Sequence, residues 1–342
     1  MFEIIKVMHI GKIHYPPRDI EAGDFIEYFL ISGVTSILII RTFLNLTSYP
    51  QLGGQNFHIA HMLWGGILMM IALLSLFVFL NKEVKYFASV VGGVGFGAFL
   101  DELGKFITSD NNYFYRPTIA IIYVIFVLLF LAARAVEKYF KFSKDEYAVN
   151  AVEITKQTLM HDLDEQEKKT ALSYFHKSDK ENPIVKAMLN VLQDSVTLPS
   201  KKPNIFHKVK LFAKKIYLKL IRAPRFAIFI ITFFVIASII NFFKAFYDFF
   251  KVQSFSEWGQ LIFSLVSGLF VLIGVYFLRY RKSRKRSYEM FKLAILLSIF
   301  LTQFFRFIEE QLSAITGLLL NLIILSVLQY LIYEEKLLEK EE

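Results

Sequence analysis

Val90-Val-Gly-Gly-Val-Gly-Phe-Gly-Ala-Phe-Leu-Asp-Glu102 is the stretch that decides how this chain is read. An unbroken run of apolar residues and glycines ends in two adjacent carboxylates. A second acidic pair, Glu309-Glu310, follows a second apolar run, Leu293 to Phe305. A Trp-Gly step opens the helix before each, Trp64-Gly65 and Trp258-Gly259, and these are the only two tryptophans. Ionisable groups at membrane depth are costly, so both pairs are candidate functional groups.

Outward from that stretch the composition agrees with it. The chain of 342 residues is 55% hydrophobic and holds 37 phenylalanines, and its mean hydropathy is +0.46. A soluble protein of this length alternates polar and apolar faces. Here the apolar residues come in blocks of about 17 to 22, long enough to cross roughly 30 Å of hydrocarbon. The blocks predict an all-α integral membrane protein with eight spans, at 25–45, 60–80, 86–107, 118–134, 226–246, 259–278, 291–311 and 313–333. There is no cysteine, which excludes disulfides, thiolate ligands and a cysteine nucleophile. The first twelve residues are too short and too mixed for a signal peptide. Met1 to Ile10 reads as a short amphipathic segment at the membrane surface.

Lys and Arg fix the expected orientation. Asn81–Tyr86 carries two lysines, Arg279-Tyr-Arg-Lys-Ser-Arg-Lys-Arg286 is densely basic, and 135–225 is lysine-rich, whereas Thr47–Phe57 has no basic residue. The positive-inside rule then places a multi-pass protein in the cell inner membrane with both termini and the long loop cytoplasmic. His58, His61, Asp101, Glu102, Glu309 and Glu310 fall on the extracytoplasmic side. Asp101 lies roughly 22 Å along the third span at 1.5 Å per residue, with Arg41 at similar depth in the first.

The two acidic pairs and two Trp-Gly steps suggest an internal repeat. Trp64-Gly-Gly-Ile-Leu aligns with Trp258-Gly-Gln-Leu-Ile, and Phe99-Leu-Asp-Glu with Phe307-Ile-Glu-Glu. Four spans per copy give two halves of the same orientation, as in parallel-repeat transporters. The expected division is a cytoplasmic N-terminal segment 1–24, a first four-helix half 25–134, a cytoplasmic helical insert 135–225, a second half 226–333 and a cytoplasmic tail 334–342. His58 and His61 have no counterpart, since Val252 and Phe255 occupy those places.

Within the insert, Asp145–Leu163 has helical periodicity, with Ala148, Val152, Ile154, Thr158 and Leu159 as inward candidates. Asp164-Glu-Gln-Glu starts another helix, and Pro183 a third that runs through Leu192. Ile205–Arg222 alternates apolar residues with lysines, the pattern of an amphipathic helix lying on anionic inner-leaflet lipids. No recognition motif for nucleic acid accompanies the lysines. The insert is also a candidate dock for a cytoplasmic protein, and the whole chain for a homo-oligomer.

Several chemistries stay open. His58-Ile-Ala-His61 places two imidazoles on one helix face, and with Asp101 or Glu102 they could hold a divalent transition metal such as zinc. In a structural reading Asp101 pairs with Lys105 and Glu102 with Arg41. In a functional reading a carboxylate takes up and releases a proton or cation. Arg306 with Glu309 and Glu310 repeats the theme as a local ion pair. Gly93 and Gly97 form a small-xxx-small pair suited to close helix packing, with Gly65-Gly66 as the expected opposing surface. Asp110-Asn-Asn112 reads as a turn. No Ser-His-Asp arrangement, P-loop or HExxH motif is present.

His58-x-x-His61-Met-Leu-Trp-Gly-Gly, Gly95-Phe-Gly-x-Phe-x-Asp-Glu-x-Gly-Lys-Phe-x-Thr108 and Asp110-Asn-x-Tyr-Phe together resemble a group of bacterial multi-pass membrane proteins, across most of residues 40–195. The resemblance implies a membrane fold and strengthens the site, and it implies no particular activity. Three functions follow from the residues. The first is transport or conduction of a cation or small solute, with Asp101 and Glu102 binding the ion, Glu309, Glu310 and Arg306 opposite them, and Arg41 tuning the charge. The second is a membrane-embedded hydrolase with a metal on His58, His61 and Asp101. The third is a sensor or scaffold acting through the insert.

Overall fold

The computed structural model describes residues 16–47, 60–139, 142–160, 163–199, 224–248 and 254–341, with Phe212, Lys215, Ile216 and Lys219 in addition. Among them every regular element is helical. The α-helices are α1 (Ala22–Leu46), α2 (His61–Val78), α3 (Lys82–Asp101), α4 (Leu103–Ile107), α5 (Pro117–Tyr139), α6 (Lys144–Thr155), α7 (Glu165–Lys177), α8 (Pro183–Asp194), α9 (Pro224–Asp248), α10 (Phe255–Arg279), α11 (Arg284–Leu297), α12 (Gln303–Glu310) and α13 (Ile315–Glu341). Among the described residues five helical stretches are long and apolar enough to cross a membrane: Ala22–Leu46, His61–Val78, Pro117–Ala135, Phe255–Arg279 and Arg284–Glu335. These long apolar helices point to a membrane protein. Met1–Ile10, His58 and most of the basic stretch 205–222 lie outside the described residues.

The Arg284–Glu335 stretch is not one rod. Gln311 has φ 49°, a conformation rare for a residue with a Cβ, and the chain reverses there. The two arms are tied on either side of the reversal. Gln303 Nε2 donates to Ala314 O at 2.7 Å, and Asn321 Nδ2 donates to Ser298 Oγ at 3.0 Å. Ile295 and Ile299 pack with Ile324, Val327 and Leu328 in one buried cluster.

The helices group into two compact units. One contains α1, the segment Leu63–Ala98 and Phe130 onward through the insert. Its packing follows from glycines on α3. A Cβ on Gly97 would stand 2.3 Å from Gly33 O, and one on Gly93 2.0 Å from Ser32 Oγ and 2.3 Å from Phe29 O. Neither contact is sterically allowed, so α1 and α3 approach as they do only because both positions are glycine. The surface opposing Gly93 and Gly97 is therefore α1, and Gly65 is met instead by Gly95, whose Cβ would lie 2.6 Å from Gly65 O. The expectation of Gly65-Gly66 opposite Gly93 and Gly97 is corrected accordingly. It failed because Gly33 has no small residue four positions away in α1 and so carries no motif.

The two lysines of the α2–α3 turn are neutralised locally. Lys82 Nζ pairs with Glu21 at 2.6 Å and Lys85 Nζ with Asp19 at 2.8 Å. The insert is fastened to the same region. Arg18 forms a two-pronged pair with Glu146, Nε–Oε1 2.7 Å and Nη2–Oε2 3.0 Å. Asn150 accepts from Ile20 N and donates to Arg18 O. The Arg18 guanidinium beside it holds the Glu146 carboxyl down at about 2.

Inside the insert, Ala151, Leu163, Ala171, Phe175, Val185 and Leu192 form a small core. Its second and third helices begin where the sequence places their starts. Asp164 caps α7 in a reciprocal box with Glu167, and Asn182 with Pro183 starts α8. The first helix is shorter than its periodicity suggests, since α6 stops at Thr155 and a 3₁₀ turn, Lys156–Met160, follows. Leu159 is 83% exposed and Val152 is also exposed, while Ala151 and Thr155 are buried. The tighter turn rotates Leu159 off the face that the helical period assigned to it.

The other unit contains His61 and Met62, Phe99–Leu129 and α9–α13. Its core is built on Val271, Phe291, Ile295, Val327 and Leu328. A π-helical turn, Ser298–Thr302, interrupts the helix between α11 and α12. The Tyr123 hydroxyl on α5 donates to the Ile299 carbonyl in this turn, and the Tyr123 ring lies against Phe307 at 4.9 Å. Residues of α5 up to Leu129 thus cluster with α9–α13 rather than with α1.

Candidate functional site

Asp101 ends α3, and Glu102 sits at the break before the five-residue helix α4. Both carboxylates are buried, Asp101 at 0% exposure and Glu102 at 1%. Their partners come from three directions. His61, the first residue of α2, lies between them, with Nε2 3.0 Å from Asp101 Oδ2 and Nδ1 2.9 Å from Glu102 Oε1. The Tyr113 hydroxyl donates to Asp101 Oδ2 at 2.7 Å. Lys105 Nζ donates to Glu102 Oε1 at 3.3 Å, and lies 5.4 Å from the centre of the Tyr113 ring.

The loop after α4 is shaped to deliver Tyr113. Thr108 Oγ1 donates to Gly104 O at 2.9 Å and accepts from Asn112 N at 2.7 Å. Asn111 takes φ 52°, which asparagine tolerates better than most residues. Asn112 Oδ1 accepts from Phe114 N at 2.9 Å, an Asx-type turn. Gly104 lets this loop close on α4. A Cβ there would meet Asn112 O at 2.8 Å, Thr118 Oγ1 at 2.9 Å and Tyr113 O at 3.1 Å.

The charges balance in one protonation state. A neutral imidazole has one donor and one acceptor, so it can satisfy only one of two ionised carboxylates. With both ring nitrogens protonated, His61 donates to each, and His61 and Lys105 offset Asp101 and Glu102. A cation at the amino end of α2 is opposed by the helix dipole at about 0.3–1 kcal/mol. Two charge-assisted hydrogen bonds, each contributing about 1.5–3 kcal/mol, outweigh that. The side chains of His61 and Lys105 are 25% and 23% exposed, so both cations of the cluster meet the outside, and His61 is the one that touches both carboxylates. Losing or gaining one proton there changes the balance of the whole group.

Glu102 Oε2 and Thr118 Oγ1 are both buried and lack a hydrogen-bond partner among the described residues. The two ring nitrogens of His61 point to different carboxylates, an arrangement of a bridge and not of ligands around one ion. Among the described residues no three His, Asp or Glu side chains converge as metal ligands. His58 lies outside the described residues.

The remaining candidates are placed as follows. Arg41 is on α1. Glu309 accepts from the Ser256 hydroxyl, near the start of α10. Glu310 takes a forked pair from Arg306, with Nη2–Oε2 2.9 Å and Nε–Oε1 3.2 Å. Both glutamates are exposed. Sequence reasoning did not single out Tyr113, Gly104, Thr118 or Tyr123 as site groups. Tyr113 and Gly104 were visible only as members of the Asp110-Asn-x-Tyr-Phe and Asp-Glu-x-Gly-Lys motifs. No family model matches the chain, and no curated protein or solved structure is detectably similar to it.

Proposed function

We propose that this is an eight-span inner-membrane protein, built as two four-helix halves with cytoplasmic termini, that moves a proton or other small cation through the Asp101–His61–Glu102 cluster. One observation carries the reading. Two fully buried carboxylates are joined by one partly exposed imidazole, a group able to exchange a proton between them and the outside. Buried carboxylates in an apolar helix set are otherwise expensive. Uptake at His61, redistribution between Asp101 and Glu102, and release elsewhere is the cycle this arrangement supports. Arg306–Glu310 and Glu309 belong to a separate, structural pair in this reading. Purified protein in liposomes with an internal pH- or cation-sensitive dye tests it. Wild type should dissipate an imposed gradient, and Asp101→Asn and Glu102→Gln should each slow that at least tenfold. A wild-type rate equal to empty liposomes for protons, sodium and potassium overturns it.

A second reading, a membrane sensor, is supported by the fastening of the insert to Arg18 and Ile20 just before α1. It predicts that Glu146→Ala alters a cellular output while Asp101→Asn does not.

A further inference from the structure

We infer that the groove between α1, α2 and α3 holds an acyl chain of a phospholipid with an ethanolamine headgroup, and that the headgroup rests on the charged residues at one end of the groove. The inference needs only that these helices cross a membrane, and it is independent of the Asp101–His61–Glu102 cluster.

The groove exists because small residues meet where the three helices come together. Its lining includes Ala72, Ala88 and Gly92, with Phe25, Phe29 and Leu76 around them. Ala72 and Ala88 are buried and Leu76 is exposed, so small side chains make the floor and larger ones the rim. A Cβ on Gly92 would lie 3.3 Å from Ala72 Cβ and 3.7 Å from the Phe29 ring, which places α2 and α3 in contact at the floor. The one polar side chain of the lining, Ser89, donates its hydroxyl back to Lys85 O at 2.7 Å. What the groove presents is apolar surface.

Size and lining choose a hydrocarbon chain. The space is about 340 Å³. One turn of an α-helix, roughly 10–12 Å across and 5.4 Å high, fills roughly 400–600 Å³, so a helix of a partner or of a second copy does not enter. Water gains no hydrogen-bond partners from an apolar lining. A flexible acyl chain enters and meets only apolar groups.

Charge at one end chooses the headgroup. Glu21 and Lys85 stand one helical turn before Phe25 and Ser89. Lys85 Nζ lies 5.8 Å from the centre of the Phe25 ring and pairs with Asp19. The Tyr86 ring meets Phe25 at 4.8 Å, and Lys82, paired with Glu21, lies 5.8 Å from its centre. Asp19, Glu21 and Asp24 are all within electrostatic reach of Tyr86. Arg18 is taken up by Glu146, so three carboxylates face two ammonium groups here. That excess of negative charge opposes an anionic headgroup. An ethanolamine headgroup brings an ammonium that, like that of lysine, has three N–H donors for carboxylates, and choline has none. Its phosphate meets the part-exposed Lys82 and Lys85. Tyr28 and Tyr86, with ring centres 5.3 Å apart, are the kind of residue that sits at headgroup level.

The test uses the full-length chain with Trp64→Phe, Trp258→Phe and Leu76→Trp as a reporter on the rim, reconstituted in phosphatidylcholine vesicles. Acyl-brominated phosphatidylethanolamine, phosphatidylcholine or phosphatidylglycerol is added at equal mole fraction, and quenching of the reporter is read. Binding of the ethanolamine lipid should exceed that of the glycerol lipid about fivefold, the effect of roughly one elementary charge near a bilayer surface, with choline between them. Leu74→Trp, at an exposed position of α2 outside the groove lining, should show no headgroup preference. Glu21→Gln should erase the preference at Leu76→Trp. Ser89→Phe, which fills the groove, should lower quenching at Leu76→Trp and leave Leu74→Trp unchanged. Equal quenching by the three lipids at Leu76→Trp, or a preference for phosphatidylglycerol, overturns the inference. Quenching at Leu74→Trp with none at Leu76→Trp also overturns it and gives the groove to a protein partner.

Discussion

The chain carries two acidic dipeptides, and the structure treats them in opposite ways. Asp101-Glu102 is buried and bonded by groups from α2, α4 and the loop before α5. Glu309-Glu310 is exposed, and its partners are Arg306 one turn back on the same helix and Ser256. Residue type and apolar flanks are alike in the two. What differs is how closely the neighbouring backbone approaches. Gly104 lets the following loop lie against α4, which brings Tyr113 onto Asp101. The second pair is followed by the reversal at Gln311 and by no such loop. An acidic pair becomes a site when several separate segments are brought onto it.

The sharpest way to break this comparison is to remove one charge from each pair. Asp101→Ala leaves His61 and Tyr113 facing a void, and chemical unfolding in detergent should show a loss of about 3–5 kcal/mol, the usual cost of breaking a buried pair. A loss below 1 kcal/mol would mean that the cluster is not what holds these elements together.

Next is the glycine that admits the loop. Gly104→Ala should cost about 1–3 kcal/mol through overpacking and should perturb Tyr113, readable as a change in near-ultraviolet circular dichroism. Gly66→Ala is the control. A Cβ there has nothing within 4 Å, and that helix should be unchanged or slightly stabilised. Equal effects would remove the close-approach argument.

The Arg18–Glu146 pair is an intermediate case, part-buried and outside the membrane helices. Its carboxyl is held at about 2 against an ordinary 4.5, chiefly by the Arg18 hydrogen bonds. A depressed carboxylate pKa stabilises the folded state fully above the unfolded value. The insert should therefore stay fastened above pH 4.5 and loosen progressively as pH falls towards 2. Hydrogen exchange of α6 across that window checks this, and Glu146→Gln should flatten the dependence.

The smallest effect is expected at the exposed pair. Glu310→Ala or Arg306→Ala should change stability by less than about 1 kcal/mol, the range of exposed ion pairs. A loss as large as that of Asp101→Ala would erase the distinction drawn between the two dipeptides.

Much of the site's inventory could be read in the chain, and much of its geometry could not. Asp101, Glu102 and His61 stood out because polar groups are conspicuous against apolar helices. The helix starts at Asp164 and Pro183 were legible because a start is set by residues within one turn. Tyr113 was silent, since its bond to Asp101 depends on a turn at Asn111 and a missing Cβ at Gly104. Val152 and Leu159 were assigned inward by a helical period that ends at Thr155. The partner of Gly97 was misplaced because Gly33 belongs to no pattern in its own helix.

The sequence by itself determined that this protein is a set of apolar helices with charges placed inside two of them, because hydropathy and period are properties of each segment alone. Only the tertiary structure decided which carboxylates are enclosed and that His61 bridges them. Those facts depend on backbone-to-backbone approach between segments far apart in the chain, and a difference of one Cβ at Gly93, Gly97 or Gly104 is enough to forbid it.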